Sequence, residues 1–196
     1  MQPKHLAHNT HALVAKKRKY VMQYCLTNPD VATSAAHHYR LLRLNEPYDA
    51  PLAALIRQVS AEYGLTADKG YSVADPQLDK LSELYQTADF GYWLLVENDG
   101  TLVGGAGFAP VAGHAGVCEL QKMYLLADVR GQGLGRWLAE KVLQEANLRG
   151  YQGCYLETTP LLPEALHLYQ KLGFTPCPRL GNSGHDDCEI TLMLKL

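Results

Sequence analysis

The stretch VRGQGLGRWLAEK, Val129–Lys141, sets Gly131, Gly133 and Gly135 between two arginines, Arg130 and Arg136, and runs straight into a helical pattern. A helix start carries unpaired N–H groups and about half a positive charge, which suits an anion. Glycines let backbone amides reach phosphate oxygens with no Cβ in the way. A phosphate or pyrophosphate is therefore the ligand expected of Arg130, Gly131, Gln132, Gly133, Leu134, Gly135 and Arg136. The other reading of these residues alone is a turn that only closes a strand–helix junction. The dinucleotide fingerprint G-x-G-x-x-G fails here, because its third glycine falls on Arg136 or Leu138. The P-loop pattern is absent as well. A second polar segment, GNSGHDDCE at Gly181–Glu189, brings His185, Asp186, Asp187 and Cys188 together. It is too compact for the usual ligand spacing, so no metal is expected.

The elements around these segments follow from periodicity and punctuation. YRLLRL, from Tyr39, alternates as a strand does. DAPLAALIRQVSAEYG reads as a helix capped by Asp49, with Pro51 in its first turn, Leu52, Leu55, Ile56 and Val59 on one face, and Gly64 at its end. DPQLDKLSELYQ predicts a second, shorter helix through Leu78, Leu81, Leu84 and Tyr85. YWLLVE, the turn NDG and TLVGGAGFAPV read as a hairpin. CELQKMYLL is a fourth strand. Next comes a strong helix that groups Leu134, Trp137, Leu138, Val142 and Ala146, with Gly150 at its end. GCYLETT is a fifth strand, PEALHLYQKLG a helix with Ala165, Leu168, Tyr169 and Leu172 on one face, and EITLMLKL a closing strand. The order β-α-α-β-β-β-α-β-α-(β)-β predicts an α/β fold: a mixed sheet flanked by helices.

Composition narrows the class. The chain has 196 residues, 47% of them hydrophobic, and a net charge of −2. That suits one domain with a sizeable core and gives no global field for nucleic acid. No apolar run reaches the ~18 residues of a membrane span, and the first 25 residues lack the apolar core of a signal peptide. Cys25, Cys118, Cys154, Cys177 and Cys188 are odd in number and scattered. They argue against a disulfide framework and for a reduced, cytoplasmic protein. Residues 1–36 differ from the rest, with Lys16, Lys17, Arg18 and Lys19 in a row and little apolar period. A solvated or loosely docked extension is expected there, with a nucleic-acid- or partner-binding arm as the alternative, and the folded domain is expected over 37–196.

RGQGLG, Arg130–Gly135, satisfies Q/R-x-x-G-x-G/A, and ALHLYQKLGF, Ala165–Phe174, follows some thirty residues later. Together these segments resemble the acetyl-CoA pyrophosphate loop and the L-Y-x-K-x-G-F helix of the GNAT N-acetyltransferase superfamily, and the resemblance runs from about Tyr39 to Leu196. It implies the GNAT fold, a mostly antiparallel central sheet flanked by helices, with acetyl-CoA as donor. It implies that the pantetheine arm pairs with the fourth strand at Met123, Tyr124 and Leu125, and that the pyrophosphate lies on the amides of Arg130 to Arg136. One departure is Leu162, which stands where many members carry an asparagine facing the pantetheine; Thr158 or Thr159 could supply that contact.

Direct attack in a ternary complex needs a neutral amine and a proton for the leaving thiolate. Glu119 resembles the family's glutamate base. A carboxylate near 4.3 is a weak base for an amine near 10.4, so it needs partial burial or a water relay. Its other reading is a strand glutamate paired with Lys122 or another cation. Tyr169 matches the family's tyrosine acid. Its other reading is a core tyrosine on the apolar stripe. His185 and Cys188 are candidate contacts to the acceptor. The resulting expectation is an acetyl-CoA-dependent N-acetyltransferase for a small-molecule amine, monomeric or homodimeric, with no metal, nucleic-acid or membrane partner. A peptide or protein amine acetyltransferase and a non-catalytic CoA-binding module are the alternatives.

Overall fold

The computed structural model describes residues 38–180 and 188–196. The extension expected over 1–36 therefore lies outside the described residues, and so does His185. Among the described residues seven strands form one sheet: β1 (Tyr39–Arg43), β2 (Gly91–Glu97), β3 (Leu102–Pro110), β4 (Val117–Leu125), β5 (Gly153–Thr158), β6 (Thr175–Pro176) and β7 (Ile190–Lys195). Their spatial order is β1-β2-β3-β4-β5-β7-β6, and every pairing is antiparallel except that of β4 with β5. The helices are α1 (Asp49–Glu62), α2 (Leu81–Leu84), α3 (Leu134–Leu148) and α4 (Pro163–Lys171). The predicted element order is the observed one.

Each face of the sheet buries its own core. On one face Leu138, Val142 and Ala146 of α3 and Tyr169 of α4 pack on Trp93, Phe108, Cys118, Leu120 and Leu156. On the other, Leu52, Ala53 and Ile56 of α1 pack with Leu78, Leu81 and Tyr85 on Tyr92, Leu94 and Val96. The strands alternate their side chains between these two cores, as the period of two requires. Gly150, at φ 93°, follows α3 in the left-handed conformation that ends helices, and the amide of Tyr151 bonds back to Ala146 O at 3.2 Å.

Three expectations are corrected. Asp49 does not cap α1; it is the first helical residue, and Tyr48 precedes it with no side-chain cap. Its buried carboxylate instead accepts from Ser82 N at 2.7 Å and Ser82 Oγ at 2.6 Å. That tertiary pairing removes the carboxylate from the helix end. The predicted second helix forms only as a 3-10 turn, Leu78–Lys80, followed by the single turn of α2. Leu78, Leu81 and Tyr85 are buried there all the same, so the apolar stripe drives packing without sustaining a long helix. Trp137 lies outside the core with its side chain half-buried, while Ala139 and Leu143 join the buried face of α3.

Candidate active site

A fork between two strands builds the site. β4 and β5 pair in parallel only from Val117–Gly153 through Cys118–Cys154 to Glu119–Tyr155. Beyond that rung they diverge around a cleft of about 510 Å³. Leu120 to Leu125 line one side of it, and Glu157, Thr158, Thr159 and Leu162 line the other. Past Glu119, β4 keeps its ladder to β3 but none to β5 among the described residues.

β4 bulges at the fork. Gln121 faces Gly107 and Tyr124 faces Gly105, so three steps on β4 meet two on β3. Lys122 sits at φ 49°, a left-handed conformation rare for a lysine. Tyr92 Oη donates to the carbonyl of Lys122 at 2.7 Å and fixes the bulge from below. Its ring fits because β3 offers glycines: a Cβ on Gly105 or Gly107 would stand 2.6 or 2.4 Å from that ring. The extra residue shifts the strand's phase. Cys118 and Leu120, then Met123 and Leu125, pack on the α3–α4 core. Tyr124 packs on the α1 core, and its phenol is pushed above the usual range by burial.

Glu119, half-buried at the fork, accepts from Gln121 Nε2 at 2.7 Å. Gln121 Oε1 in turn accepts from the buried hydroxyl of Tyr85 at 2.8 Å. Lys122, one reading's partner for Glu119, pairs with Asp75 at 2.8 Å. Tyr169 lines the cleft from the opposite side of the sheet, its hydroxyl 3.9 Å from Met123 Sδ. It is both a core residue and a cleft residue. Burial raises its phenol well above 10. Glu119 and Tyr169 thus reach one cleft from two faces.

The glycine loop closes the near end of the cleft. Val129 and Leu134 are buried and anchor it, while Gly131 and Gly133 adopt φ 75° and 79°. Gly133 caps α3 in this left-handed conformation, which disfavours any β-branched residue. Among the described residues the amides from Gly131 to Arg136 have no hydrogen-bond partner, whereas that of Arg130 bonds to Ala127 O at 3.1 Å. Gln132 turns its side chain onto Asp128 O at 3.0 Å. Arg136 pairs with Glu140 along α3 at 2.8 Å, and Gly135 lines the cleft beside Met123 and Leu168. The Arg130 side chain turns away from the loop toward the end of α1.

Cys188 is buried with Leu65 and Tyr71, and all three line the cleft on the α1 side. Sequence reasoning missed Gln121, Tyr85, Tyr63, Leu65, Tyr71 and Glu157. Gln121 was discoverable, standing two residues from Glu119 on the same strand face; Tyr63, Leu65, Tyr71 and Glu157 reach the cleft only through tertiary packing, and Tyr85 acts on it only through its bond to Gln121. Leu162 does line the cleft, flanked by the buried Thr158 and Thr159. Among the described residues no three His, Cys, Asp or Glu side chains gather as a metal site, and no helix is long and apolar enough to cross a membrane.

The model of the acetyltransferase (GNAT) family matches residues 57–174, the span that holds the fork, the loop and Tyr169. The chain belongs to the GNAT acetyltransferase family. It is 49% identical over 156 residues to the uncharacterised N-acetyltransferase YjgM of Escherichia coli (strain K12), covering 79% of this chain and 93% of that one. Its fold is similar to that of a GNAT acetyltransferase from Staphylococcus aureus Mu50, with a TM-score of 0.69, 21% identity, and coverage of 80% and 98% of the two chains. It is also similar to that of YncA from Salmonella typhimurium, solved with its cofactor acetyl-CoA, with a TM-score of 0.63, 18% identity, and coverage of 80% and 93%. The acetyltransferase therefore carries its family's sheet, and the forked strands are where its chemistry is sought.

Proposed function

We propose that this acetyltransferase uses acetyl-CoA to acetylate a primary amine of a small molecule, by direct attack in a ternary complex. The observation that carries the reading is the fork itself: an edge of β4 and, at its end, a loop of amides that have no partner among the described residues, with Glu119 and Tyr169 on either side. These residues fit the cofactor. The amides from Gly131 to Arg136 suit a pyrophosphate, and the open edge at Met123, Tyr124 and Leu125 suits an amide-bearing arm. When bound, the cofactor supplies an activated acetyl group and a thiol leaving group. Backbone N–H groups of β4 polarise a carbonyl placed against them. Glu119, its carboxylate oriented by Gln121, takes the proton of the incoming amine. Tyr169, kept protonated by burial, offers its hydroxyl to the leaving sulfur.

The acceptor enters from the α1 side, where Tyr63, Leu65, Tyr71 and Cys188 make a largely apolar wall. That wall favours a compact amine with an apolar body. The segment holding His185 adjoins Cys188 in sequence, and His185 stays a proposed acceptor contact. Residues 1–36 are proposed to be dispensable for turnover. A thiol-release assay with acetyl-CoA against polyamines, amino acids, arylalkylamines, aminoglycosides and lysine peptides tests the reading. Turnover with a small amine is expected. Turnover confined to peptides would reassign the acceptor, and tight CoA binding with no turnover anywhere would reassign the protein as a CoA-binding module.

A further inference from the structure

Arg130 opens the glycine motif, yet its guanidinium points elsewhere. Nε donates to Leu125 O at 2.9 Å, at the end of β4. Nη1 donates to Tyr63 Oη at 3.1 Å and Nη2 to Glu62 Oε2 at 2.6 Å. The guanidinium carbon also lies 5.2 Å from the centroid of the Tyr63 ring. Three of its five N–H groups are therefore engaged, and its charge is met by Glu62. Glu62 and Tyr63 are the last residue of α1 and the residue after it, where a cation also complements the helix dipole. Tyr63 lines the cleft and packs against Leu65, Tyr71 and Cys188, the apolar wall on the acceptor side. A planar fork with several fixed donors can hold this bridge where a lysine's single point charge cannot.

We propose that Arg130 is a positioning residue for the acceptor pocket, coupling the cofactor loop to the end of α1 through Glu62 and Tyr63. The inference rests on the reading of the glycine loop as the CoA pyrophosphate site. Loading the loop restrains Arg130 at its base, and the restraint passes to Tyr63 and the wall behind it. Substitution of Arg130 leaves the loop amides in place and loosens the acceptor wall.

The test is hydrogen exchange by mass spectrometry on the full chain, with and without saturating CoA as the probe. In the wild type, CoA is expected to slow exchange several-fold both in the loop, residues 127–137, and at the end of α1, residues 58–66. In Arg130→Gln the loop protection should remain and the α1 protection should vanish. Glu62→Gln, which leaves Arg130 on the loop, should reduce the α1 protection partway. Wild-type protection confined to the loop would overturn the coupling while leaving the loop assignment standing. Equal α1 protection in the wild type and both variants would overturn it too. No protection of the loop would remove the CoA reading and the coupling together.

Discussion

Glu119 faces Tyr155 on the last rung that joins β4 to β5. One residue further the strands part, so the carboxylate stands at the apex of the cleft rather than along its wall. The Tyr155 hydroxyl donates to Glu157 at 2.7 Å, and Glu157 pairs with Arg179 at 2.7 Å. In the proposed mechanism, this rung sets where an acceptor nitrogen meets a proton acceptor.

Glu119→Gln keeps the shape of the side chain and removes the proposed base. It should depress kcat most near neutral pH and less near pH 10, where an amine of pKa ~10.4 is over a quarter neutral instead of under 0.1%. Tyr85→Phe should act through Gln121, lowering kcat by roughly 2- to 10-fold with the KM for acetyl-CoA unchanged. Steady-state kinetics from pH 6.5 to 10 check both. Full activity in Glu119→Gln across that range would leave positioning and backbone polarisation as the whole of the catalysis.

Tyr169→Phe should leave CoA affinity nearly intact and lower the chemical step by roughly 100-fold. The sign of the pH dependence follows from burial. The folded phenol is raised above its ordinary value of 10, so it remains a donor throughout the working range. The wild-type rate should therefore not fall between pH 8 and 10. Tyr85 and Tyr92 are raised by burial in the same way. The stability these three contribute is complete below pH 10 and declines above it, by up to ~1.4 kcal/mol per tyrosine per pH unit. Thermal melts from pH 8 to 11.5 would display that decline.

Gly133→Val should abolish measurable CoA binding in a calorimetric titration while the far-ultraviolet circular dichroism stays native. Its φ of 79° is forbidding for a β-branched residue, and the loop amides must rotate away from their present directions. Gly131→Ala should do less harm, because its added Cβ meets nothing within 4 Å and only the φ of 75° resists. Unchanged affinity in Gly133→Val would remove the loop from the cofactor site.

Asp49→Ala strands the amide and hydroxyl of Ser82 in a buried setting. At ~1–3 kcal/mol for each unsatisfied group, the loss should be roughly 2–6 kcal/mol, read from urea denaturation. Asp49→Asn, which can still accept from one of the two donors, should recover part of it. A loss under ~0.5 kcal/mol would show that water replaces the carboxylate.

Local rules made much of this protein legible from its residues alone. Period-two and period-3.6 patterns set the order of strands and helices. Gly133 and Gly135 before an amphipathic run marked a helix start able to bind an anion, and Tyr169 declared itself on the apolar stripe of α4. These features depend on neighbours within a few positions, which is the range over which backbone conformation and helix capping act. Tertiary structure decided the rest. Asp49 looks like a cap until Ser82, 33 residues away, takes its carboxylate. Arg130 stands at the head of the glycine loop, yet Glu62, 68 residues away, is what pairs with its charge. The fork itself is written in no local pattern, because β4 keeps its ladder to β3 through the bulge at Lys122 while its pairing with β5 ends at Glu119. Long side chains choose among all the groups that folding brings within reach, and that choice follows contact in space, not spacing along the chain.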